Sequence, residues 1–349
     1  MQRRLDFLDF LRFVAAFSVL LQHGGEKLFP WFRDFSTNYF QFGVFGVTLF
    51  FLCSGFIIPV SLEKNGSLKK FWISRIFRLF PLYYASIIST LIFIYFGFMD
   101  ASFPSIKTIF WNSTMLMRFV GQPSILGSYW TLSLEMLFYF LVSLLFLFKI
   151  LNKTVVLSIT ALCLCLIFGV FATTMFHLFT KGWGTMFYLA TMFTGTVFYK
   201  NHKSEVSNNT LRAVLLFAIF TLITNTYSNL YGRPNIPELV GSLSFIPVTS
   251  ALLAGYVLFY LCFSIRNINY HPVFLKMGVI SYSLYLVQGA IYTTVPAITN
   301  QPVLSLIMWL ALIIAVSFIT YNFIEKPFLN LGNSLKNNVK RYEEVKVTS

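Results

Sequence analysis

Apolar residues run along the chain in blocks of about twenty, separated by short polar or basic segments. The blocks lie near residues 6–26, 40–60, 79–98, 129–148, 155–173, 183–199, 212–228, 243–263, 279–296 and 303–323. A helix rises about 1.5 Å per residue, so about twenty residues cross the roughly 30 Å hydrocarbon core of a bilayer. The pattern predicts an all-α, polytopic membrane helix bundle of about ten transmembrane helices, with both termini cytoplasmic. No internal repeat or sizeable water-soluble domain interrupts it. Residues 1–330 form the membrane-embedded domain and 331–349 a polar, mobile cytoplasmic tail. The first block contains Asp9 and Arg12 and lacks a small-residue cleavage site, so it reads as a retained span and not a signal peptide. Segment 61–78 sets Phe71, Trp72, Ile76 and Phe77 among Lys69, Lys70, Arg75 and Arg78, which predicts a helix lying on the cytoplasmic surface. An apolar patch, Ile106 to Val120, within the long outer segment 99–128 is expected to dip into the interface. Pro81, Pro247 and Pro296 fall inside or at the ends of blocks, where kinks are tolerated.

Composition agrees with this reading. Of 349 residues 57% are hydrophobic and 11% charged, against about a quarter charged in a soluble domain. The net charge of +14 would suit nucleic acid, but its distribution argues otherwise. With the N-terminus inside, nineteen of the 26 Lys and Arg fall in inner segments, among them Arg3, Arg4, Lys64, Lys200 and Arg212. Six fall outside: Lys27, Arg33, Lys107, Arg118, Lys181 and Arg233. That asymmetry follows the positive-inside rule and implies contact with anionic lipid headgroups, with no nucleic acid partner. All four cysteines (Cys53, Cys163, Cys165, Cys262) sit in apolar blocks, so neither a metal site nor a disulfide is expected.

Charges inside spans are costly and are the best guide to chemistry. The first block carries Asp9, Arg12 and His23, and the fourth carries Glu135. Arg12 and His23 are eleven residues apart, which on a helix puts them on one face about 16 Å apart. Glu135, two turns into a span of opposite direction, falls at a depth like that of His23, where a carboxylate could fix an imidazole's tautomer. Taken alone, His23 reads equally well as a packed, hydrogen-bonded residue, whereas Arg12 and Glu135 read somewhat better as functional groups than as members of structural ion pairs. Arg75 and Arg78 at i, i+3 could clamp a phosphate. On spacing alone a plain basic flank is the better reading of that pair. Gly43, Gly46 and Ser54-Gly55 in the second block suit close helix packing better than a substrate path. The 42 Phe residues read as core filling and lipid-facing surface.

Together these segments resemble the membrane-bound acyltransferase-3 family. RLDFLDFLRFVAAFSVLLQH resembles its opening helix, with an Arg followed by a His (Arg12, His23). FGVFGVTLFFLCSGFII resembles its Gly-x-x-x-Phe-Phe-x-x-Ser-Gly-Phe segment. FWISRIFRLFPLYY resembles its Arg-x-x-Arg junction (Arg75, Arg78, Pro81, Tyr83). GSYWTLSLEMLFYF resembles its Trp-x-Leu-x-x-Glu helix (Trp130, Glu135, Phe138, Tyr139). ISYSLYLVQ and IEKPF resemble motifs near the end of its core. The matches run in family order from residue 3 to 328.

The resemblance implies an O-acyltransferase of the cell inner membrane in a bacterium. It implies transfer of an acyl group, acetyl by default, from cytoplasmic acyl-CoA to a hydroxyl of a carbohydrate or lipid-linked glycan acceptor, with no permanently bound cofactor. His23 takes the catalytic role and Arg12, Arg75 and Arg78 the donor-binding role. Direct transfer is expected, in which His23 removes the acceptor proton, Glu135 orients or stabilises the imidazolium, and Ser54, Trp130 or a backbone N–H supplies an oxyanion donor. A covalent acyl-histidine stays open, as does a homo-oligomer. Gln288 stands where many members carry His, and an amide cannot take a proton. No esterase-like domain is evident, so acceptor handling is expected to rest on the membrane core or on partners. The rival reading, a transporter or flippase for a lipid-linked sugar, explains the spans and buried charges equally well, but not these motifs together.

Overall fold

A computed structural model describes residues 5–171, 183–231, 244–294 and 301–348, and among these the regular structure is helical, with no strand. The expectations placed on Arg3, Arg4, Lys181, Arg233 and Pro296 fall outside the described residues. The helices are α1 (Asp6–Leu28), α2 (Pro30–Asn38), α3 (Phe42–Asn65), α4 (Leu68–Tyr95), α5 (Ile106–Ser113), α6 (Trp130–Leu147), α7 (Thr154–Leu166), α8 (Trp183–His202), α9 (Asn208–Tyr231), α10 (Phe245–Ser264), α11 (Pro272–Val279), α12 (Ser281–Thr294), α13 (Pro302–Thr320) and α14 (Lys326–Thr348). The chain divides into two compact units, Met1–Val60 with Leu137–Val279 and Ser61–Met136 with Ile280–Ser349.

Seven helices among the described residues are long and apolar enough to cross a membrane, and α11 with α12, bent by 66°, adds an eighth if the pair is one span. The protein is therefore a multi-pass membrane protein. The other two sequence blocks account for the difference from ten. Block 155–173 forms α7, only 13 residues, continued by a π-turn at Ile167–Phe171. A π-turn disturbs the regular ladder and leaves carbonyls in need of donors. Asn225 and Asn229 of α9 supply them: Asn225 Nδ2 donates to the Cys165 carbonyl (3.2 Å) and sulfur (2.7 Å), and Asn229 Nδ2 to the Gly169 carbonyl (2.7 Å).

Block 183–199 forms α8, which is long enough but rich in threonine. Residues 189–200 are all buried, so this helix is sheathed by the rest of its unit. Its threonines are satisfied locally, Thr191 bonding Phe187 O (3.1 Å) and Thr194 bonding Ala190 O (2.9 Å). A helix shielded in this way does not need an apolar face for lipid.

The first unit is built around α3 and α8, which cross at Gly55 and Gly195. A methyl group on Gly55 would overlap the Met192 carbonyl, and one on Gly195 the Leu52 carbonyl. Thr196 Oγ1 bonds Gly55 O across the same crossing (3.0 Å). Beside it, the Phe7 ring meets Phe56, Phe259 and Phe263 edge-on at 5.7, 6.3 and 6.1 Å. Close glycine crossings flanked by interlocked aromatics are how helices associate where lipid removes the hydrophobic drive.

In the second unit, α4 corrects the expected surface helix at 61–78. α3 continues to Asn65, Gly66 turns the chain at φ +59°, and α4 then runs unbroken for 28 residues with Pro81 inside it. Arg75 is buried on it, not presented to solvent. α14 braces this stretch: Phe328 stacks on Phe77 (6.5 Å between centroids) and Gly332 admits the Phe77 side chain. Described tail residues to Thr348 belong to α14. The Ile106–Val120 patch forms α5 and a 3-10 turn at Met117–Val120. Buried Asn112 organises it, donating to Thr108 O and Pro123 O (2.9 Å each) and accepting from Ile125 N (3.0 Å).

Candidate active site

The candidate residues divide between the units: Arg12, His23 and Ser54 in the first, Arg75, Arg78, Trp130 and Glu135 in the second.

In the first unit α1 carries both Arg12 and His23. Its register is set by glycines on its neighbours. Gly278 of α11 packs on the Asp9 carbonyl and Gly46 of α3 on the Ala15 carbonyl and Val19. Phe10 stacks on Tyr270 (4.8 Å) and Phe13 on Phe274 (5.2 Å). Past His23, Gly24 and Gly25 are buried, and Gly25 leaves room for Phe32 as α2 folds back. Gln22, next to His23, accepts from the Gly43 backbone N–H, and its Nε2 donates to Gln41 Oε1 (2.8 Å). Gln41 Nε2 donates in turn to Ser36 O (3.0 Å), and Ser36 Oγ to Glu26 Oε1 (2.6 Å). The turn bearing His23 is thus fixed from both sides, while the His23 side chain itself is exposed and Arg12 is half-buried. An exposed imidazole on an immobile turn suits proton transfer, which needs reach and a defined direction. Ser54 is half-buried beside the Gly55 crossing, so Gly46 and Gly55 serve packing as the sequence suggests.

In the second unit Arg75 and Arg78 lie one turn apart on α4, with the Arg75 guanidinium 5.5 Å from the Phe71 ring centroid. The turns that follow are held by side-chain hydrogen bonds. Tyr282 OH donates to Leu79 O (2.8 Å), Tyr83 OH donates to Asn112 O (2.7 Å), and the Ser86 and Tyr129 hydroxyls are hydrogen-bonded to each other (2.7 Å). α6 begins at Trp130, where the Arg118 guanidinium sits 5.7 Å from the indole. Thr131 bonds Tyr285 OH (2.8 Å), which also donates to Ser128 O (3.0 Å). Glu135 stands one turn beyond Thr131 on the same face. It is five residues, about 7.5 Å, from the start of α6.

Two buried polar residues received no catalytic or binding role from the sequence. Glu325, in the IEKPF motif, lies in a second π-turn (Tyr321–Glu325), is buried, and accepts from Ser283 Oγ (2.9 Å). Gln288 is fully buried on α12, and neither amide atom has a hydrogen-bond partner among the described residues. The Gln22–Gln41 link was also missed. Only a polar residue beside a candidate His pointed to it, and that is weak because Gln41 falls at the edge of its span.

The chain matches the sequence profile of the acyltransferase-3 family, an acyltransferase domain, over residues 5–323. It is 25% identical to YrhL, a candidate peptidoglycan O-acetyltransferase of Bacillus subtilis (strain 168), over 99% of this chain and 59% of that protein. It is 27% identical to the peptidoglycan O-acetyltransferase OatA of Listeria monocytogenes (serovar 1/2a, strain EGD-e), over 93% of this chain and 56% of that protein. The chain thus spans under two thirds of the length of either relative. No solved structure matches it.

Proposed function

The chain belongs to the acyltransferase-3 family and is an acyltransferase, and on that premise we propose that it O-acylates a surface glycan, with acyl-CoA as donor and His23 as base. The observation that carries this reading is α1: one face presents Arg12 and His23, and the turn holding His23 is clamped by Gln22, Gly43 and Gln41.

In this reading the cytoplasmic acyl-CoA presents its phosphates to Arg75 and Arg78, whose planar guanidinium groups suit a diphosphate better than lysine would. Arg12 attends the donor's acyl arm. His23 removes the proton of the acceptor hydroxyl as its oxygen attacks the thioester carbonyl. Collapse of the tetrahedral intermediate breaks the carbon–sulfur bond, giving the glycan ester and coenzyme A thiol. Glu135 balances the imidazolium, and Ser54 or Trp130 donates to the oxyanion. Acetyl is the acyl group to try first. The names of the two bacterial relatives make peptidoglycan the first acceptor to test. The charge distribution and the same relatives support a bacterial inner membrane as its location, with the basic segments inside.

The test uses purified protein in liposomes with radiolabelled acetyl-CoA and glycan fragments. Arg75→Gln and Arg78→Gln are expected to raise the donor KM about tenfold each with kcat little changed. An unchanged donor KM in both variants would remove them from donor binding. Flux of a lipid-linked sugar with no acyl transfer would favour the flippase.

A further inference from the structure

In the first unit, α9 and α10 enclose a groove of about 390 Å³. Its floor is made by buried Leu215 and Tyr256, and Tyr256 OH is anchored to Thr191 Oγ1 (3.1 Å), so the floor is fixed. Leu216, Val257 and Leu261 stand exposed along its rims. Arg212 is the first groove residue met along α9 and, among the described residues, the only charged side chain lining it. From Arg212 to Ile219, the last groove residue on α9, the groove extends about 10 Å along the helix.

Arg212 is exposed, and among the described residues no carboxylate pairs with it. Glu205, the acidic residue nearest in sequence, is held by Lys200 Nζ at 2.8 Å. From Lys200 to Arg212 the chain carries Lys200, Lys203 and Arg212 against Glu205 alone, so this end of α9 keeps a positive excess. A hydrocarbon-lined channel beginning at an uncompensated guanidinium matches one kind of molecule in a bilayer: an apolar chain ending in an anion.

We propose that the groove is a binding site for an anionic phospholipid. One acyl chain lies on Leu215 and Tyr256 between the rims, and the phosphodiester accepts paired N–H bonds from Arg212. The site is distinct from the candidate catalytic residues and does not depend on the donor or acceptor.

The full chain is purified in mild detergent from membranes supplemented with equal phosphatidylglycerol and phosphatidylcholine, and retained lipid is counted by native mass spectrometry. The wild type is expected to keep phosphatidylglycerol in roughly fivefold preference, the size of effect one basic side chain gives at a membrane surface. Arg212→Gln removes the preference. Val257→Trp, which fills the groove from an exposed rim and leaves Arg212 in place, removes it too. Equal retention of the two lipids by the wild type would overturn the proposal. So would an undiminished preference in either variant, since that would place the lipid elsewhere. Finding the lipid excluded from a dimer that covers these rims would overturn it in favour of a second copy as the occupant. Melting midpoints in detergent distinguish loss of the site from loss of fold, and the two variants alter different elements, so one misfolded variant does not leave the question open.

Discussion

In the first unit the close crossings of α3 with α8, α3 with α1 and α11 with α1 all run through glycine, where helix backbone meets helix backbone. In the second, α4, α5, the start of α6 and α12 are joined by side-chain hydrogen bonds: Tyr83 to Asn112 of α5, Ser86 to Tyr129 just before α6, Thr131 to Tyr285, and Tyr282 to Leu79. The difference has energetic consequences. A side chain added at a glycine crossing forces two backbones apart, typically about 1–3 kcal/mol and at times more. An interhelical hydrogen bond inside a membrane averages only about 0.6 kcal/mol, because the unfolded helix also finds partners. Volume thus dominates stability at the glycine crossings of the first unit, whereas the polar links of the second fix orientation at little energetic gain. Each arrangement fits the role proposed for its unit. A proton-transferring imidazole needs a rigid backbone, while arginines that grip phosphates need a helix held in rotation.

The largest effect is expected at the α3–α8 crossing. Gly55→Val should lower stability by about 3 kcal/mol or prevent folding, read as the unfolding midpoint in detergent. A midpoint close to wild type would mean that the crossing relaxes freely and the contrast between the units is wrong. Next come the π-turn donors: Asn225→Leu leaves the Cys165 carbonyl in need of a donor and should cost about 2 kcal/mol, seen as faster hydrogen exchange in α7. Tyr285→Phe in the second unit should cost about 0.6 kcal/mol and change donor KM or kcat more than the melting midpoint. If it destabilises as much as Gly55→Val, the second unit also depends on its polar links for stability. The smallest effect concerns His202 at the end of α8, beyond its apolar stretch. Burial, then the cations Arg266 and Lys203, hold its imidazole below the ordinary range. The folded form therefore keeps His202 neutral, while the unfolded chain binds a proton near pH 6.5. Its contribution is complete above about pH 6.5 and is lost as pH falls toward the lower folded value. Melting midpoints should decline in that window, and His202→Gln should flatten the decline.

Much of this was legible in the sequence. Uniform apolar blocks marked α1, α3, α4, α6, α9, α10 and α13, because a lipid-facing helix must be apolar along its length. α7 and α8 do not stand out by length and apolarity among the described residues as the other blocks do. One is completed by a π-turn whose partners, Asn225 and Asn229, lie about sixty residues away. The other is shielded by neighbours that no local pattern reveals. The surface helix expected at 61–78 failed for a related reason: its amphipathic face meets Phe328 and Gly332 of α14, so the residues that looked interfacial are the first turns of a long span. Gly46 and Gly55 were read correctly because glycine weakens a helix unless a neighbouring backbone needs the space. The candidate residues stood out because charges are rare inside spans. Gln22, Gln41 and Glu325 did not, since an amide beside a His, or a Glu at the end of an apolar block, is commonplace where a helix meets water.

The central claim is that His23 performs the chemistry. It is tested most directly by mass spectrometry of surface glycans from host cells carrying either wild type or His23→Ala at matched membrane levels. The account predicts an acyl mass increment, about 42 Da if acetyl, present with wild type and reduced about a thousandfold in the variant, the scale expected for loss of a general base. Persistence of the increment at wild-type level in His23→Ala cells would contradict it.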